Sequence, residues 1–128
     1  MTRAIVFAAI LMSAGAASAD TGPYGAIAYA EASDNVYVVT DHDTQEAATA
    51  AALADCQKEN KSCTIPLWFM NACGAFARAS DGSWGTGWGE TQDLAKDWAI
   101  RTCGNYGGKD CRLRVVMCSP GGAGYIAK

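Results

Sequence analysis

Six cysteines, one histidine and a few carboxylates are the residues of this 128-residue chain that could do chemistry. The cysteines are Cys56, Cys63, Cys73, Cys103, Cys111 and Cys118. An even set in a small exported domain means a disulfide framework far more often than a metal site. The rival reading, a zinc centre, lacks any Cys-x-x-Cys and has one histidine to draw on. That histidine, His42, stands between Asp41 and Asp43 just before an expected helix. Carboxylates on both sides suit a general base or a metal ligand. Acidic residues are also common at a solvated helix start, and that plainer reading is the favoured one. No serine sits in a Gly-x-Ser-x-Gly elbow. Glu31, Asp34, Asp81 and Glu90 could form a glycosidase-like pair, but each lies in or beside a turn. Gly85-Thr86-Gly87-Trp88-Gly89 lacks the Lys-Ser/Thr ending of a phosphate loop. Neither a cofactor nor a metal is expected.

Cysteine chemistry depends on compartment. Met1-Thr2-Arg3, an apolar run over 4–12 and small residues ending Ala17-Ser18-Ala19 describe a secretory signal peptide. The run is too short for a membrane span, which takes roughly 20 residues. Residues 1–19 are therefore read as the leader and 20–128 as one mature domain, periplasmic or secreted, with no integral membrane span. Losing Arg3 moves the formal charge from −3 to about −4. Mild acidity without long charge runs argues against nonspecific nucleic-acid binding, which needs a basic face.

The positioning elements follow from pattern. Residues 24–30 alternate small and large, and 36–40 are β-branched and aromatic, so both read as strands of a hairpin. Thr44 caps an Ala-rich helix over 45–57, with Glu46 in its first turn. A polar turn leads to a strand over 63–70. The order then recurs. Residues 73–79 match 25–30 at the glycine and at alternate alanines, Asp81-Gly82 is a hairpin turn, 83–89 is a strand, and Thr91 caps a helix ending at Cys103. Each cap precedes its cysteine by the same interval, Thr44 to Cys56 and Thr91 to Cys103. The expected fold is α+β: a two-fold internal repeat of strand–strand–helix–strand, with an antiparallel sheet and both helices on one face. Pro66 inside a strand calls for an edge position or a bulge.

Six cysteines allow 15 pairings, and the repeat narrows them. Cys56–Cys63 and Cys103–Cys111 each join a helix end to the next strand, which leaves Cys73–Cys118. The strand period also sorts side chains onto faces. The expected core is the face of Ala26, Ala28, Ala30, Ala75, Ala77 and Ala79, with Ile65, Leu67, Phe69, Leu113, Val115 and Met117. The other face would carry Ile27, Tyr29 and Phe76 with the candidate binding residues Tyr37, Trp68, Arg78, Trp84, Trp88, Arg112 and Arg114. Aromatics and Arg are the types enriched among interface anchors. The same residues could equally stack on one another and bind nothing, or form the core with the faces reversed.

The Gly25-to-Tyr29 stretch, Asn71-Ala72-Cys73-Gly74-Ala75, the Trp/Gly strand from Trp84 to Gly89 and the helix ending in Cys103 together resemble a bacterial family. It is the family of domain of unknown function 4189, and the resemblance covers nearly the whole mature chain. It implies a small exported protein with this cysteine pattern and brings no catalytic residue. The expected function is non-enzymatic binding of a protein or glycan of the envelope or medium. The alternative is a small envelope hydrolase using His42 with a nearby carboxylate.

Overall fold

The computed structural model describes residues 22–127; the expected leader and its cleavage point at Ala19 lie outside them. The elements are β1 (Tyr24–Ala30), β2 (Asn35–His42), α1 (Gln45–Gln57), β3 (Thr64–Met70), β4 (Ala72–Arg78), β5 (Trp84–Gly89), α2 (Gln92–Asn105), β6 (Arg112–Ser119) and β7 (Gly124–Ile126). Both helices begin where the sequence supplies an oxygen for an orphan amide. Thr44 Oγ1 accepts from the Ala47 N–H and Thr91 Oγ1 from the Leu94 N–H, each at 3.1 Å. At the β4–β5 hairpin Gly82 takes φ 93°, and Asp81 Oδ1 accepts from the Ser83 N–H at 2.9 Å.

The chain is α+β, with two antiparallel sheets where the sequence suggested one. Their orders are β2-β1-β3 and β5-β4-β6-β7. The handover from the first to the second is one residue, Asn71, whose left-handed φ of 48° turns β3 into β4. Instead of both helices sharing a face, each sheet has its own. Ala26, Ala28 and Ala30 pack with Ala48, Ala52 and Cys56 of α1. Ala75, Ala77 and Ala79 pack with Ala95, Ala99 and Cys103 of α2. The layers run helix, sheet, sheet, helix.

That layering settles the two faces. Those expected to be open to water are pressed together between the sheets, where Ile27, Tyr29, Phe69, Phe76 and Val115 form a buried cluster with Val36, Val38, Leu67, Trp84 and Met117 against it. The alanine faces are core as expected, but each is a separate, smaller one. Leu67, Phe69, Val115 and Met117 leave the alanine faces to which the simple period assigned them. A register shift between Ile27 and Tyr29 puts an extra β3 residue near Pro66, so Ile65 faces α1 while Leu67 faces the other sheet. A shift between Phe76 and Ala77 does the same in β6, leaving Leu113 toward α2 and Val115 inward. One inserted residue reverses every later side chain. Pro66 thus sits both on an edge strand and at a bulge.

Phe69 shows how close the sheets come. Its ring occupies the space where a side chain on Gly25 or on Gly74 would begin, so a glycine in each sheet makes its socket.

Three disulfides staple the layers: Cys56–Cys63, Cys103–Cys111 and Cys73–Cys118. The first two tie each helix end to the strand that follows, and the third crosses the β4–β6 ladder at a directly opposed pair. Three disulfides fit a non-cytoplasmic protein. Among the described residues no helix is long and apolar enough to cross a membrane.

Candidate functional site

The seven candidate binding residues do not share one face. Trp84 belongs to the inter-sheet layer, its ring stacked on Phe76 at 5.5 Å between centroids and edge-on to Tyr29 at 5.8 Å. Arg78 and Arg114 converge on Asp34, at 2.7 and 2.9 Å. Asp34 sits in the β1–β2 turn at a left-handed φ of 57°, and its backbone carbonyl also accepts from Arg114 at 3.1 Å. Tyr29 completes the group, its hydroxyl donating to Asp34 and accepting from Arg78 Nε at 3.2 Å. Burial raises the Tyr29 pKa and holds the hydroxyl in its donating form. This cluster ties one sheet to the other, with two guanidiniums sharing one carboxylate. Tyr37 lies opposite Ala28 and so faces α1, with its hydroxyl on Glu59 at 2.7 Å. Trp68 lies opposite Ala26, on the helix side of the first sheet beside Tyr24. Arg112 is exposed at the start of β6.

His42 ends β2, opposite Tyr24. Its neighbour Asp41, at a φ of 66°, accepts from the Gly121 N–H and from the Thr40 hydroxyl, each at 2.6 Å. These bonds, the Gly121 one first, hold its pKa below the usual carboxylate value. The Asp41 N–H donates to the buried Ser119 hydroxyl at 2.9 Å. Asp41 therefore fastens the end of β2 to the turn after β6. Among the described residues no group of three or more His, Cys, Asp or Glu could hold a metal ion.

Trp88 stands 63% exposed near the end of β5, at the free edge of the second sheet. The sequence reading missed what lies beside it. Leu94, Trp98 and Tyr106 are 47%, 53% and 73% exposed, and with Thr102 they recur at every fourth position along α2. That spacing places them on one stripe of the helix. It runs one residue behind the buried Ala95, Ala99 and Cys103 and overhangs the β5 edge. The signal was in the sequence: apolar residues four apart, outside the alanine stripe that seats the helix.

Glycines set the geometry. On the helix side of β5, a side chain on Gly85 or Gly87 would run into the α2 backbone at Cys103 and Ala99. The helix therefore lies directly on β5, and its flank forms one wall of a groove whose other wall is the strand edge. Two adjoining cavities of about 540 and 530 Å³ make up this groove and share Thr86 and Thr102. Trp88, Leu94 and Trp98 line one end; Pro66, Trp84 and Tyr106 line the other. Among the described residues Glu90 is its single carboxylate, at the Trp88 end. The Arg101 guanidinium lies 5.6 Å from the Trp98 ring centre and steadies it by a cation–π contact. Exposed large apolar side chains gathered along a concave surface mark an interaction site more often than chance placement.

No curated protein sequence and no solved structure matches the chain. A family model described as "Domain of unknown function (DUF4189)" does match, over residues 24–118. That span runs from the first residue of β1 to the last cysteine, and the chain belongs to the DUF4189 family.

Proposed function

We propose that this chain is an exported, non-enzymatic binding domain, with residues 1–19 its leader and 20–128 its mature form, and that its partner docks in the groove between β5 and α2. The observation that carries this reading is the exposure of Trp88, Leu94, Trp98 and Tyr106 along one groove. These are large apolar surfaces on a frame held by three disulfides. A rigid frame presenting aromatic anchors loses little conformational entropy on binding. The partner is a protein of the envelope or medium; a glycan stacked on the two Trp rings is the outcome that would redirect the reading.

The test compares immobilised wild-type protein with Trp98→Ala, Trp88→Ala and Trp68→Ala in capture from periplasmic extract and culture medium. Trp68 is an exposed Trp outside the groove and serves as the control. Truncating an anchor residue costs about 2 kcal/mol, or about thirtyfold in Kd. Capture should fall with both groove variants and persist with Trp68→Ala. Equal capture by all four proteins would remove the groove from the function.

A further inference from the structure

One wall of the groove is an unpaired strand edge. β5 pairs with β4 on one side only. At its start the Ala79 N–H donates to the Ser83 carbonyl at 2.8 Å. The antiparallel ladder alternates from there, so Gly85, Gly87 and Gly89 exchange bonds with Ala77, Ala75 and Cys73. The N–H and C=O groups of Trp84, Thr86 and Trp88 therefore point away from β4, into the groove.

Sheet edges are usually defended against pairing by prolines, bulges, shortness or charge. Three of the four edges here carry such a device. β3 has Pro66 and a register shift. β7 is three residues long. β2 has a register shift at Tyr24/Ala26, its end is tied by Asp41 to the turn after β6, and Ile126 and Ala127 stand across a small cavity from Val36 and Val38. Among the described strands, β5 alone offers an edge of six residues in unbroken register with no proline and no charged residue.

Sterics choose the occupant. A second copy pairing β5 against β5 would bring two α2 helices, each seated on its own strand, toward the strand spacing of about 4.8 Å. Packed helices need about 8–10 Å between axes, so such a pair clashes. A single extended peptide meets no such obstacle. Its residues on the helix side would lie against Leu94, Trp98 and Thr102, and those on the other side against Trp84 and Trp88. Glu90, the one carboxylate in the lining, calls for a cationic residue at that end of the ligand.

We infer that β5 accepts an extended peptide segment of another protein by strand addition, with apolar side chains at alternate positions and a Lys or Arg at the Glu90 end. This rests on the groove reading above and adds the backbone as the source of recognition.

Full-length oxidised protein would be used to select from a phage library of random decapeptides, and the leading synthetic peptide titrated by tryptophan fluorescence. The decisive variant is Thr86→Pro, which removes an outward N–H without touching the β4 ladder. Selected sequences should alternate apolar residues and end in Lys or Arg. Thr86→Pro should weaken the peptide about tenfold, the loss of one backbone bond, and Trp98→Ala should weaken it as well. Should Thr86→Pro disturb the fold by circular dichroism, N-methylating alternate peptide amides makes the same test from the ligand side, with the same loss expected in one of the two registers. Strand addition is overturned if neither change affects binding, and the groove reading survives if Trp98→Ala still does. Strand addition also falls if no peptide is selected while chitohexaose gives a Trp98-dependent signal. If neither peptide nor sugar depends on Trp98, both readings fall.

Discussion

The two halves of the molecule share the order strand, strand, helix, strand and differ in how the helix meets its sheet. In the first, Tyr37 and Val39 lie opposite Ala28 and Ala26 and face α1. In the second, the corresponding places opposite Ala77 and Ala75 are Gly85 and Gly87. The helix flank changes with them. At the positions matching Leu94, Trp98, Thr102 and Tyr106, counted from the N-caps, α1 and its following turn carry Ala47, Ala51, Asp55 and Glu59. One half thus holds its helix off the sheet with large residues and shows water a small and acidic flank. The other seats its helix on bare backbone and shows an aromatic one. A shared scaffold can be a closed structural unit in one half and a recognition surface in the other. The change lies in which residues stand at the helix–strand seam.

The layer common to both halves should matter most to stability. Phe76 is fully buried between the sheets, and Phe76→Ala should cost about 3–5 kcal/mol in urea unfolding. A loss below about 1 kcal/mol would mean that the halves are stable independently.

The seam comes next. Gly87→Val drives a side chain into the Ala99 backbone and should cost about 3 kcal/mol, at the top of the overpacking range. Val39→Gly, at the matching place in the first half, should cost about 1–2 kcal/mol, because its helix already tolerates distance there. Equal losses at the two sites would erase the contrast drawn here.

Acid should loosen the joint between the halves. The folded Asp41 carboxylate has a pKa below its unfolded value because the Gly121 amide and the Thr40 hydroxyl stabilise the charged form. A depressed carboxylate contributes stability that is fully present above the ordinary carboxylate value and is lost as pH falls through the folded one. Protection of the Gly121 amide, taken relative to its intrinsic exchange rate at each pH, should therefore fall at acid pH below the ordinary carboxylate range in the wild type. In Asp41→Asn that fall should be absent. A wild-type profile matching that of Asp41→Asn would detach Asp41 from the acid response.

The smallest effect on folding is expected where the effect on binding is greatest. Trp98→Ala should shift stability by about 0.5 kcal/mol or less, as exposed positions do. A thermal melt showing a large drop would make Trp98 part of the structure and weaken its claim as an anchor.

Much of the local structure was legible in the chain. Thr44 and Thr91 announced the helix starts, because a cap needs only a hydroxyl at one position. Asp81-Gly82 announced its hairpin, and the six cysteines stand in the three pairs that their spacing suggested. Pro66 announced an irregular edge strand. All of these are decided within a few residues of themselves or by a spacing that survives folding. What the sequence left open was which sheet face meets what. The strand period sorts residues into two sets and does not name the partner of either, so the aromatic and arginine set could be surface or core. The packing of the two sheets against each other decided it by covering Tyr29, Phe76 and Trp84. The bulges beside Pro66 and Arg114, each a single inserted residue, redirected Leu67 and Val115 in a way that no two-residue period can foresee. The groove exists only because glycines of β5 let α2 settle onto the last strand of a sheet, which leaves Trp88 and Trp98 lining one groove at an edge that no further strand covers.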